Sequence, residues 1–133
     1  MIKEGLGALK KKIAKILREY KALDRARTCG AQCVTVVRSR KEVQIDVDGT
    51  VTAVLAAAED YCRVCGHEKA ELTRLYFFER KTEVAVSIRL HLSLSTLKRM
   101  KSEVTADILL LAAAAGAFPY EEILSEFKRR KDD

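Results

Sequence analysis

The sequence predicts a mainly α fold: a helical bundle with a C-terminal helix-turn-helix, leaving room for one small β-hairpin near residues 34–47. Three observations carry this. Aromatic residues make up only 6% of the chain and Trp is missing, whereas charged residues reach 33%, a balance of small helical proteins rather than sandwiches. Apolar residues recur at intervals of three and four over most of the length. Side chains suited to capping a helix stand just before several of those apolar series, with glycines after others.

The first apolar series is Leu6, Leu9, Ile13, Ile16, Tyr20 and Leu23, a heptad seam on one long helix. Lys10, Lys11, Lys12, Lys15, Arg18 and Lys21 cover the rest of its surface. The stripe suits either packing on the chain's own core or an intermolecular coiled coil. Between Cys33 and Val47 the pattern changes to β-branched runs, Val34–Val37 and Val43–Val47, separated by Arg38–Lys41. That describes a small hairpin or an extended linker.

Asp48-Gly49-Thr50 signals a turn and a helix start. Val51, Val54, Leu55, Ala58, Tyr61, Cys62 and Cys65 follow at helical spacing, and Gly66 is placed to end a helix over about Val51–Cys65. Leu72, Leu75, Tyr76 and Phe78 imply another helix, stopping at Glu79-Arg80-Lys81. Thr82 caps the next one. Helix continues through the Ala-rich stretch to Gly116, and Pro119 suits the first turn of a last helix carrying Ile123, Leu124 and Phe127. The tail Lys128–Asp133 is expected to fray.

At 133 residues and 48% hydrophobic, the chain fits one domain, 1–133, with a genuine core. It divides into residues 1–50, a long basic helix plus the extended or hairpin segment; 51–116, the helix-turn-helix region; and 117–133, an amphipathic helix and tail. The net charge of +6 favours an anionic partner, for which nucleic acid is the simplest proposal. Nine Lys and Arg against three acids fall in residues 1–28, and Glu68–Glu103 is basic again. Two separated basic regions suggest a surface footprint. The longest apolar run, Ile108–Ala115, is too short to span a bilayer, and the N-terminus lacks the apolar stretch of a secretory signal. The expectation is a cytoplasmic protein without a membrane partner, its cysteines reduced or metal-bound.

Function concentrates in Thr82–Ser102. Val86, Leu90, Leu92, Leu97 and Met100, with the small Ser87 after the first, describe two short helices and a turn. Val86 and Leu90 face inward, Leu92 plugs the turn, Leu97 and Met100 face inward from the second helix, and Ser93 caps it. The outward face near its start then presents Leu94, Ser95, Lys98, Arg99 and Ser102. Arg99 suits a bidentate contact to guanine, and Ser95 and Lys98 suit bases or phosphates. Lys101, Arg89 and Lys81 would position the DNA backbone. The plain alternative is an antiparallel helix pair with a solvated charged face.

Leu75-Tyr76-Phe77-Phe78, then Val86–Leu92, then Ser93-Leu94-Ser95-Thr96-Leu97-Lys98-Arg99-Met100-Lys101 resemble the C-terminal part of ArpU/RinA-like phage transcriptional regulators. Arg18–Leu23 resembles the Tyr-containing motif closing that family's first long helix, so the likeness runs from Leu17 to Gly116. The resemblance implies a sigma-region-4-like helix-turn-helix whose recognition helix opens with Ser93, Thr96 and Arg99. It also implies a phage or prophage regulator that binds promoter DNA and activates late genes by engaging host RNA polymerase; a homodimer is expected alongside it. Two positions depart from the pattern: His91 stands where Gly is usual in the turn, and Ser87 where Ala is usual. A histidine enters the left-handed region more readily than most residues.

Cys29, Cys33, Cys62 and Cys65 supply four thiols in two pairs, a count suited to structural zinc, with His67 as a substitute ligand. Equally, Cys62 and Cys65 continue the stripe of their own helix and suit buried reduced thiols. Cys62-Arg63-Val64-Cys65 lacks the strand and loop context of a redox motif. His67 and His91, the two histidines, stand in no recognisable catalytic arrangement, and no Gly-rich phosphate loop occurs. The sequence therefore points away from an enzyme. Its second functional reading is a protein-interaction or assembly module, built on the heptad seam and the Pro119–Phe127 helix, with incidental positive charge.

Overall fold

The computed structural model describes residues 5–132. Met1–Glu4 of the basic first segment and Asp133 of the tail lie outside the described residues. In chain order the elements are α1 (Leu6–Arg18), α2 (Tyr20–Cys29), β1 (Cys33–Arg38), β2 (Lys41–Asp46), α3 (Gly49–Val64) and α4 (His67–Leu72). A π-helical turn (Thr73–Phe78), α5 (Glu83–Leu90), α6 (Leu94–Ala114) and α7 (Tyr120–Asp132) follow. The molecule is mainly helical, with a single two-stranded antiparallel sheet among the described residues.

The 21-residue α6 is the axis on which α1, α3, α5 and α7 pack. Leu97, Val104, Ile108 and Leu109 of α6 are fully buried and share a core with Leu6, Ile13 and Leu17 of α1, Val54 and Leu55 of α3, and Ile123 of α7. The amino-terminal seam is thus consumed by the chain's own core, leaving no free apolar stripe for a coiled coil.

The long first helix expected from that seam is broken. Glu19 leaves helical geometry at φ −101° and ψ 17°, and α2 restarts at Tyr20. No helix-breaking residue marks the site; its cause is tertiary. The Glu19 carboxylate is buried and accepts from Arg38 Nε and NH2, each at 2.6 Å, and from Arg80 NH1 at 2.8 Å. Arg80 also donates to the Arg18 carbonyl at 2.9 Å, satisfying an acceptor at the end of α1. An acid drawn off the helix surface to meet two guanidinium groups turns the chain at that point.

The hairpin forms with Arg38 opposite Lys41 and Val34 opposite Ile45. Ser39 and Arg40 make its two-residue turn at φ 54° and 65°. Both are left-handed, the geometry that matches strand twist but favours Asn and Gly. Val36 is buried, whereas Val37 and Val43 are exposed.

Three side chains cap helices as their chemistry requires. Asp48 accepts from Val51 N–H at 2.9 Å, Thr82 from Ala85 N–H at 3.1 Å and Ser93 from Thr96 N–H at 3.2 Å. Boundaries differ in detail. The third helix starts at Gly49 and ends at Val64, Pro119 sits just before α7, and the tail expected to fray is helical through Asp132. The helix expected around Leu72–Phe78 widens into a π turn, closed by Glu79 N–H donating to the Arg74 carbonyl at 2.9 Å.

Candidate nucleic-acid interface

α5, a tight turn and α6 form the segment on which the candidate residues lie. The turn closes by two backbone bonds, His91 N–H to the Ile88 carbonyl at 3.3 Å and Leu92 N–H to the Ser87 carbonyl at 2.9 Å. His91 supplies the left-handed residue this closure needs, at φ 57° and ψ 44°. Leu92 packs partly into the core. Val86, Leu97 and Met100 are buried, as is Ser87, whose hydroxyl donates to the Val84 carbonyl at 2.8 Å. The second of the two short helices expected from the spacing is the first half of the long α6.

Of the residues assigned to DNA, Ser95, Lys98, Arg99 and Ser102 share one exposed face of that half-helix. Positions 95, 98, 99 and 102 are three, four and seven apart, so the face follows from helical geometry. The Arg99 side chain is 68% exposed and held only loosely by Glu103, 3.8 Å away. Beside it an open groove of about 410 Å³ runs between α6 and the α3–α4 junction, lined by Cys65, His67, Arg99, Met100 and Glu103. Ser93 and Thr96 are occupied otherwise. The Ser93 hydroxyl donates to Thr96 Oγ1 at 2.9 Å while accepting from the Thr96 N–H.

Lys101 is drawn away from this face. It is half-buried, donates to Glu83 at 2.9 Å across the α5–α6 contact, and sits 4.0 Å from the centroid of the Tyr76 ring. Arg18 stacks on the same ring at 4.4 Å and donates to the Tyr76 carbonyl at 3.2 Å. The Lys101 hydrogen bond, and then the charges of Lys101, Lys98 and Arg18, hold the Glu83 carboxyl below the usual glutamate range. Lys101 therefore ties α5 to α6, and the sequence offered no sign of this because both partners lie far off in the chain.

Lys81 and Arg89 meet elsewhere. They rim a small hollow with Leu75, Ala85 and Val86, on the flank of α5 turned toward the π turn. Neither makes an ion pair within the described residues. Lys10 of α1 donates to the Ser102 hydroxyl, so the basic first helix borders the exposed face of α6. Spacing within either helix could not reveal that contact.

The four cysteines are not gathered. Cys29 and Cys33 are exposed near the hairpin, and Cys62 and Cys65 are half-buried at the end of α3 rather than fully within its stripe. No group of three or more His, Cys, Asp or Glu side chains among the described residues is arranged to hold a metal ion. Burial, and then the neighbouring Cys65, pushes the Cys62 thiol up to about 11, and burial likewise raises Cys65. Among the described residues no helix is long and apolar enough to cross a membrane.

No family model, curated protein or solved structure matches this chain.

Proposed function

We propose that the protein is a sequence-specific binder of double-stranded DNA, reading it with the first half of α6. The observation that carries this is the exposed row Ser95, Lys98, Arg99 and Ser102, set immediately after a tight turn on a helix anchored by Leu97 and Met100. A helix presenting Arg and Lys from its first turns, braced by a shorter helix, suits insertion into the major groove. Lys81 and Arg89 supply cations for the phosphate backbone, while Lys101 braces the unit. The further reading, a phage-type regulator with a sigma-region-4-like unit that engages RNA polymerase as a homodimer, is supported by the resemblance of Leu75–Phe78 and Val86–Lys101 alone.

A second reading is favoured by one observation. Val84 and Ile88 on the outer side of α5 are 56% and 69% exposed, an apolar pair that suits a protein partner. Selection of bound fragments from a random duplex pool separates the two. DNA reading predicts enrichment of a common motif; recovery of fragments without one would favour the interaction module.

A further inference from the structure

The Arg38–Glu19–Arg80 cluster has a geometric consequence at the surface. Arg38 ends β1 and flanks the hairpin turn, while Arg80 stands two residues before Thr82, the cap of α5. One buried carboxylate binds both, so the end of β1 and the segment leading into α5 are tied to the same point through two arginine side chains. In helix-turn-helix complexes the first helix crosses the phosphate backbone, so its start lies along the strand.

Charge along the hairpin is polarised. Arg38, Arg40 and Lys41 gather at the tip against one acid there, Glu42, whereas Asp46 and Asp48 lie at the far end. Arg38 is spent on Glu19, but Arg40 and Lys41 are exposed and make no ion pair among the described residues. Arg40 occupies a left-handed backbone position at φ 65°, where glycine would be relaxed. A strained residue at an exposed tip, carrying a free cation, is a reason to look for a ligand there.

We propose that the hairpin tip, tied through Glu19 to the segment leading into α5, is a second double-stranded DNA-binding element in which Arg40 and Lys41 grip the phosphate backbone. The proposal rests on the reading of α6 as a DNA-binding helix. It adds contacts that carry affinity without sequence information.

The test is duplex binding by the full chain across a salt series, comparing the wild type with the Arg40→Gly/Lys41→Gln double variant and with Lys98→Ala. Glycine relaxes the turn, so the double variant keeps its thermal midpoint or gains on it. The expected result is a loss of about tenfold in affinity at low salt and a salt slope shallower by about 1.8, for two phosphate contacts. The ratio of preferred to competitor DNA stays unchanged. If the double variant keeps the wild-type affinity and slope while Lys98→Ala lowers both, the tip proposal is overturned and the reading of α6 survives. A wild-type chain with no salt-dependent duplex binding overturns both.

Discussion

Lys101 sits 2.9 Å from the Glu83 carboxylate and over the Tyr76 ring, so the most central cation of α6 faces inward across α5 rather than toward solvent. The division of labour on this helix follows. Lys98 is exposed and Arg99 is held only by a long contact to Glu103, so both can turn to an outside partner, while Lys101 ties α6 to α5. Lys101→Ala should lower stability by about 1 kcal/mol, from the lost ion pair and ring contact. Lys98→Ala should leave it within about 0.5 kcal/mol. Chemical denaturation of the two variants checks this; equal stability losses would mean that Lys101 is as loosely held as Lys98.

The same pair gives an acid signature. The folded Glu83 carboxyl lies below its ordinary 4.5, so its ionised form is favoured by folding. The stability it contributes is fully present above pH 4.5 and is lost as pH falls through the lowered folded value. Glu83→Gln should flatten that part of the stability profile below pH 4.5. Parallel profiles for variant and wild type would assign the acid sensitivity to other carboxylates.

At the turn, His91 carries a left-handed backbone that costs a side-chain-bearing residue about 1 kcal/mol. His91→Gly should therefore raise stability by up to about 1 kcal/mol, offset partly by the unfolded chain's gain in entropy. A thermal midpoint higher by about 2–5 °C is the expected reading. A lowered midpoint would show that the imidazole makes a contact worth more than the backbone strain.

Around Glu19 the costs should be asymmetric. Its carboxylate is buried, whereas Arg38 and Arg80 are each more than a third exposed. Removing the acid as Glu19→Gln lets both guanidinium groups turn to water, at about 1 kcal/mol. Replacing both arginines by Met leaves a buried, unpaired carboxylate, at about 3 kcal/mol. Denaturation measurements that reversed this order would contradict the burial of Glu19.

How much of this was legible in the sequence depends on the range of the interaction. Asp48, Thr82 and Ser93 cap within three residues of themselves, and the geometry of each could be read locally. So could the shared face of Ser95, Lys98, Arg99 and Ser102, which follows from helical spacing, whereas the left-handed residue at His91 was expected only from the family resemblance. The break at Glu19 could not, since Tyr20 and Leu23 continue the apolar seam without interruption. Its one trace was that Glu19 is the sole acid between Lys10 and Lys21. Lys101 and Lys10 were misleading or silent for the same reason: their partners, Glu83 with Tyr76 and Ser102, are brought near only by packing. Cys62 and Cys65 matched both a core stripe and a ligand pair, and their half-buried positions follow from packing that the spacing does not encode.

Arg99, on the exposed face of α6, is the residue proposed to read a base. The most direct measurement is competition binding of wild type and Arg99→Ala to a selected duplex and to unrelated duplex, at one fixed salt concentration. The variant is expected to lose about 1–3 kcal/mol of preference for the selected site while its affinity for unrelated DNA changes little. An Arg99→Ala protein that discriminates as well as the wild type would contradict that role.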